Sequence, residues 1–146
     1  MDEKILLNRI DKLKERMKNK GIDTALITKD ENKFYLTNFR SSHFFVIITG
    51  SKNYLLTDFR YIELAKALEP LFSVVLITGE SDELDFLKEL KSCGVLGFEE
   101  NGTTLHEFLN LKNLFGHEQL LEMDGELQSL RMIKDGYEKT CIKEAA

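Results

Sequence analysis

Two β-rich runs, Phe44 to Thr49 and Tyr54 to Thr57, flank Gly50-Ser51-Lys52-Asn53, and this hairpin signal constrains the fold more than any other stretch. A hairpin is antiparallel by construction. Beyond Pro70, the one proline, the rhythm changes. Val74 to Ile77 reads as a strand, and 82–92 as a helix on Leu84, Leu87 and Leu90. Val95 to Phe98 is a strand again. Thr104-Leu105-His106-Glu107 is a capping box opening a helix to about residue 113, and His117 to Glu122 reads as a last strand. Such alternation requires βαβ crossovers, which give parallel pairs. One sheet holding both kinds of pairing is mixed. The expected class is therefore α/β, a mixed five- or six-stranded sheet with helices on both faces.

Ahead of the hairpin, residues 4–20 set Leu6, Ile10, Leu13 and Met17 on one helical stripe, and Gly21 stops the helix. Thr24 to Thr28 reads as a short buried strand, and 30–37 as a helical turn carrying Phe34, Tyr35 and Leu36. After the hairpin, Asp58 is placed to cap a helix over roughly 59–69, with Ile62, Ala65 and Leu68 inward and Glu63 and Lys66 in water. Leu127, Leu130 and Ile133 close one more helix. Asp135-Gly136-Tyr137-Glu138 then resembles a new N-cap, and Lys139 to Ala146 continues without a stop signal. Tyr137, Cys141 and Ala145 share a face that nothing later in the chain covers. The expectation is a chain that breaks off inside a helix of a larger protein.

With 146 residues the chain is the size of one domain. Charge is mixed, 20 basic against 25 acidic residues for a net of -5, which argues against a nucleic-acid backbone as partner. No stretch reaches the roughly 18 apolar residues of a membrane span, and the charged start is no signal peptide. Cys93 and Cys141 stand in no metal-type spacing and read as reduced thiols of a cytoplasmic protein. Asn101-Gly102-Thr103 then reads as a turn rather than a glycosylation site.

Chemistry is scarce. Gly94-Val95-Leu96-Gly97 lacks the spacing of a phosphate cradle, and His117-Glu118 is followed by Leu121 where a zinc helix needs histidine. His43, His106 and His117 fall on three separate elements. The acids Glu99-Glu100 and Glu80, Asp82, Glu83 sit where turns and helix starts favour acids. One constellation stands out: the aromatic-rich loop Asn32 to Ser42, ending in Arg40 and two hydroxyls, with Thr57-Asp58-Phe59-Arg60-Tyr61 at a strand end. Arg40 and Arg60 suit bidentate carboxylate recognition. Equally, Asp58 is only a cap and Arg60 only pairs with a neighbour such as Glu63.

The run Gly21-Ile22-Asp23-Thr24-Ala25-Leu26-Ile27, with Asn32 and Tyr35-Leu36-Thr37-Asn38-Phe39, resembles the opening of the creatinase/prolidase N-terminal domain. Thr57-Asp58-Phe59-Arg60-Tyr61 is similar to that family's D-G-R-Y turn, with Phe59 in place of glycine. Gly97-Phe98-Glu99 is similar to its G-hydrophobic-E strand. Leu130-Arg131-Met132-Ile133-Lys134 with Glu138 resembles the junction to the next domain. The resemblance implies a ribonuclease-H-like lobe over 1–132 and, over 133–146, the junction and first helix of an absent metallopeptidase domain. That domain would hold two divalent metals (Mn, Co or Zn) and cleave Xaa-Pro bonds. The lobe itself would be non-catalytic, serving homodimer contacts and active-site access. Arg40, Asp58, Arg60 and Tyr61 would be its substrate-proximal or interface residues. Its partners would be its own catalytic domain, a second subunit and a peptide substrate. Two other functions are open on the same residues: a protein-binding module of an inactive homologue, and the lobe of a creatinase-type amidinohydrolase.

Overall fold

The computed structural model describes residues 3–41, 43–78, 80–90 and 94–132. Ile133, the expected helix from 135 onward, Cys93 and Cys141 lie outside them. The order is α1 (Glu3–Lys20), β1 (Thr24–Ile27), α2 (Asp30–Thr37), β2 (Phe44–Thr49), β3 (Asn53–Thr57), α3 (Ile62–Ala65), β4 (Ser73–Leu76), α4 (Glu80–Leu90), β5 (Leu96–Phe98), α5 (Leu105–Phe115), β6 (Leu120–Glu122) and α6 (Asp124–Met132). The chain is α/β, as the sequence implies.

The six strands form one sheet in the order β4-β3-β2-β1-β5-β6. β2 is antiparallel to both β1 and β3, whereas β1–β5, β5–β6 and β3–β4 are parallel pairs. Five strands thus run one way and β2 alone runs back. Alternation of side chains splits the core in two. Ala25, Ile27, Val46, Ile48 and Leu55 face α1, α2, α3 and α6, where Ile10, Leu13, Leu36 and Leu127 meet them. Leu26, Ile47, Leu56 and Leu96 face α4 and α5, where Leu87, Leu111 and Phe115 complete the second cluster. Each of the larger aliphatic and aromatic side chains contributes roughly 1.5–3 kcal/mol, the Ala25 methyl less. Helices cover both faces.

Local chemistry accounts for the boundaries. Gly21 takes φ 78° after α1, and the Ile22 amide donates back to the Met17 carbonyl at 2.8 Å, closing the helix end. Thr104 and Glu107 make the reciprocal capping box that starts α5. Gly97 in β5 is a close approach: a Cβ there would stand 2.8 Å from Met123 Sδ and 2.9 Å from Ile22 Cγ2.

The segment after the hairpin differs from expectation. Instead of one helix over 59–69, α3 spans four residues and passes into a tighter 3-10 turn at Lys66–Leu68. Asp58 is not its cap. The helix starts behind Tyr61 without a side-chain cap, because both Asp58 oxygens are already engaged by Arg60.

Candidate functional site

Five parallel strands place their carboxyl ends at one edge of the sheet, and β2 starts there. The connections leaving β1, β3, β4, β5 and β6, with the return from α2 into β2, therefore gather at that edge. This is where open α/β sheets present functional groups.

The β3–α3 connection forms a compact charged corner. Arg60 Nη2 lies 2.7 Å and Nε 3.2 Å from Asp58 Oδ2, while the Arg60 backbone amide donates to Oδ1 at 3.0 Å. The guanidinium also lies 5.3 Å from the Tyr61 ring centre. The Arg60 side-chain bond to Asp58 holds that carboxyl below its ordinary range, and the nearby His43 acts in the same direction. Asp58, Arg60 and Tyr61 are thus brought together, and Arg60 pairs with Asp58 rather than Glu63, which instead meets Lys66 at 3.2 Å.

Arg40 is placed differently. It follows Asn38, which adopts φ 55° as the end of α2, and its guanidinium lies 4.0 Å from the Phe34 ring centre. Arg40 therefore stands on the same edge as the Asp58 corner, held by an aromatic face instead of a carboxylate. The two loops meet through the start of β2: Thr57 Oγ1 donates to the His43 carbonyl at 3.1 Å.

Below the corner opens a cleft of about 920 Å³, with Leu26, Ile77, Leu87 and Leu111 as its floor. Its rim carries Asp58 and Arg60 and also His43, Thr78, His106 and Asn110. Sequence alone gives no role to these last four, because they sit on connections and helices that only the sheet topology unites. Two histidines on separate elements are here neighbours of one opening. Among the described residues, no three His, Cys, Asp or Glu side chains converge to hold a metal ion.

The other residue given no role is Glu99, which the sequence places among the turn acids and, by resemblance, at the end of a G-hydrophobic-E strand. It is no turn acid: it is 0% exposed. Its Oε1 accepts the Thr28 amide at 2.7 Å and the Lys29 amide at 3.0 Å, and Oε2 accepts Asn32 Nδ2. Burial raises its carboxyl above the ordinary range, and the three donors and the nearby Asp124 modify that. Thr28 Oγ1 in turn donates to the Gly102 carbonyl at 2.8 Å. A Cβ on Gly102 would come within 2.5 Å of Lys29 Cγ, so glycine lets the β5–α5 and β1–α2 connections lie against each other. The signals available in sequence are an acid directly after a buried strand, which a surface turn also shows, and the resemblance of Gly97-Phe98-Glu99 to the G-hydrophobic-E strand.

Residues 9–133 match the sequence profile described as the Creatinase/Prolidase N-terminal domain. A Bacillus subtilis (strain 168) protein named "Uncharacterized peptidase YqhT" is 31% identical over 145 residues, covering 94% of this chain and 39% of that protein. The Xaa-Pro dipeptidase from Bacillus anthracis superposes with a TM-score of 0.82 at 26% identity, covering 95% of this chain and 39% of that one. The N-terminal domain of the cytoplasmic peptidase PepQ from Mycobacterium tuberculosis H37Rv gives 0.73 at 26% identity, covering 84% of this chain and 98% of that one. The chain spans 39% of the length of the first two relatives. In profile, in identity and in six-stranded topology, this chain belongs to the creatinase/prolidase family, as its N-terminal domain.

Proposed function

We propose that the chain is the non-catalytic amino-terminal lobe of an Xaa-Pro dipeptidase or aminopeptidase, covering residues 1–132, with 133–146 leading into the catalytic domain. The observation that carries this is the match to an N-terminal domain over residues 9–133 combined with a span of 39% of an Xaa-Pro dipeptidase. On this reading two divalent metals, Mn, Co or Zn, belong to the catalytic domain, and the described residues supply no ligand set for them. The lobe's own contribution is recognition. Asp58 engages Nε and Nη2 of Arg60, which fixes the guanidinium plane and leaves Nη1 for a peptide carboxylate. Tyr61 backs that plane, and the Arg40 loop stands beside it on the same edge. The lobe joins the second subunit of a homodimer and narrows access to the active site. A cytoplasmic location is supported by the Mycobacterium tuberculosis relative, itself a cytoplasmic peptidase. No helix among the described residues is long and apolar enough to cross a membrane.

The test compares residues 1–146 with the full-length protein on an Xaa-Pro dipeptide with Mn²⁺ or Co²⁺. Turnover is expected from the longer form alone. Hydrolysis by residues 1–146 overturns the proposal, as does a full-length protein that folds, binds metal and leaves the dipeptide intact.

A further inference from the structure

Three charged side chains are buried among the described residues: Arg9 at 3%, Lys33 at 6% and Glu99 at 0% exposure. All three bind the eight-residue helix α2 or belong to it. Glu99 receives the amides that lead into its first turn, and it receives Asn32 within that turn. Lys33 Nζ donates to the Phe44 carbonyl at 2.8 Å, lies 3.3 Å from Asp30, and stands 4.6 Å from the Phe44 ring centre. Arg9 reaches from α1 to the Tyr35 carbonyl at 2.8 Å, its guanidinium 4.2 Å from the Tyr35 ring centre. These tie α2 to β5, to β2 and to α1.

Stability alone is a poor reason for this arrangement. Burying an ion costs desolvation that a well-packed apolar side chain avoids, so these three charges are weak evidence of stabilisation, whereas their bonds fix α2 against three neighbouring elements. Helix α2 starts and ends at the same edge of the sheet, so its orientation sets where the loop after it stands. Its last turn is held as firmly as its first. Thr37 Oγ1 donates to the Lys33 carbonyl at 2.8 Å and accepts the Phe39 amide at 3.0 Å, and Phe39 meets Phe44 edge-on at 5.2 Å. Arg40 then rests on Phe34 of the same helix. The Asn32 amide has its orientation dictated too: exchanging its nitrogen and oxygen would set oxygen against the Glu99 carboxylate.

We infer that Glu99, together with Lys33 and Arg9, is a positioning residue that mounts α2 so that the Arg40 loop stands ready for the substrate. The group acts through α2 and touches no substrate. It rests on the proposed function, in which that loop faces the peptide.

The experiment uses the full-length protein and steady-state hydrolysis of an Xaa-Pro dipeptide. Arg40→Ala is expected to raise KM about tenfold, the scale of one charge-assisted bond. Glu99→Gln keeps the shape and removes the anion, and is expected to raise KM by a similar factor while kcat changes less than about twofold. In the double variant the two effects do not multiply, because a misplaced loop without Arg40 has nothing further to lose. Asn32→Ala removes one donor and leaves the backbone donors in place; it serves the same comparison should Glu99→Gln fail to fold. If Arg40→Ala raises KM and the folded Glu99→Gln or Asn32→Ala enzyme does not, the inference is overturned while the proposed function stands. Multiplying effects in the double variant overturn it as well. If Arg40→Ala leaves KM unchanged, the substrate-facing role of the loop fails first and takes the inference with it.

Discussion

Two parts of the same sheet edge are built by opposite means. The Asp58–Arg60–Tyr61 corner is local: its bonds join residues two apart, Arg60 is 54% exposed, and the four-residue α3 beside it has no side-chain cap. The α2 mount is long-range: its bonds join residues 11, 26 and 71 apart, and its charges are buried. A local pair whose arginine is exposed can adjust to a partner as it arrives, at little cost to the fold. A buried network either keeps its geometry or loses its donors to nothing. The edge therefore pairs an adaptable contact with a fixed one.

Breaking the fixed part should be expensive. Glu99→Ala leaves the Thr28 and Lys29 amides and the Asn32 side chain without an acceptor, and should cost about 3 kcal/mol in urea unfolding. A loss under about 1 kcal/mol would mean that water enters and replaces the carboxylate. Arg9→Ala removes the bond to the Tyr35 carbonyl and the cover over the Tyr35 ring, and a loss of at least about 1–2 kcal/mol is expected from the same measurement.

The pH dependence separates the two regions by sign. Burial raises the Glu99 carboxyl above its ordinary value of 4.5, so just above that value the folded state keeps a proton that the unfolded state has released. The contribution is complete below the ordinary value and is lost as pH rises through the raised one. Asp58 is shifted the other way by its Arg60 bond, so its contribution is present above the ordinary Asp range and lost as pH falls. Unfolding midpoints against pH should therefore change slope in Glu99→Gln on the side above the ordinary Glu value. An unchanged slope there would assign it to another group. The smallest effect belongs to the exposed corner. Phe59 is 75% exposed, and Phe59→Ser should shift stability by no more than about 0.5 kcal/mol in the isolated lobe. A larger loss would show that this ring packs in solution.

The same contrast explains how much is legible before folding. Strand β2, the α1 stripe and the α5 box arise from periodicity and turn chemistry within a few residues and are found where expected. Strand β1 ends and β3 begins one residue early, and the last strand starts only at Leu120, because His117–Gln119 forms a 3-10 turn. The parallel crossovers are implied by alternation, although β4 begins at Ser73 and β5 at Leu96, each one residue off. The α3 segment is shorter than its sequence implies. Asp58 fits a cap by type, and only the structure shows its oxygens taken by Arg60. Glu99 passes for a turn acid for a related reason. Its donors lie 67 to 71 residues away, where no local pattern reaches. His43 and His106 share the cleft only because strand order brings their connections together.

The 71-residue separation between Thr28 and Glu99 also sets an order in time. During synthesis α2 leaves the ribosome well before the strand that supplies its anchor. Strands β1, β2 and β3 all lie within residues 24–57, whereas the carboxylate that accepts the Thr28 and Lys29 amides arrives only with the end of β5. Protection of the Thr28 and Lys29 amides from exchange is therefore expected to appear only once the two halves of the lobe have joined.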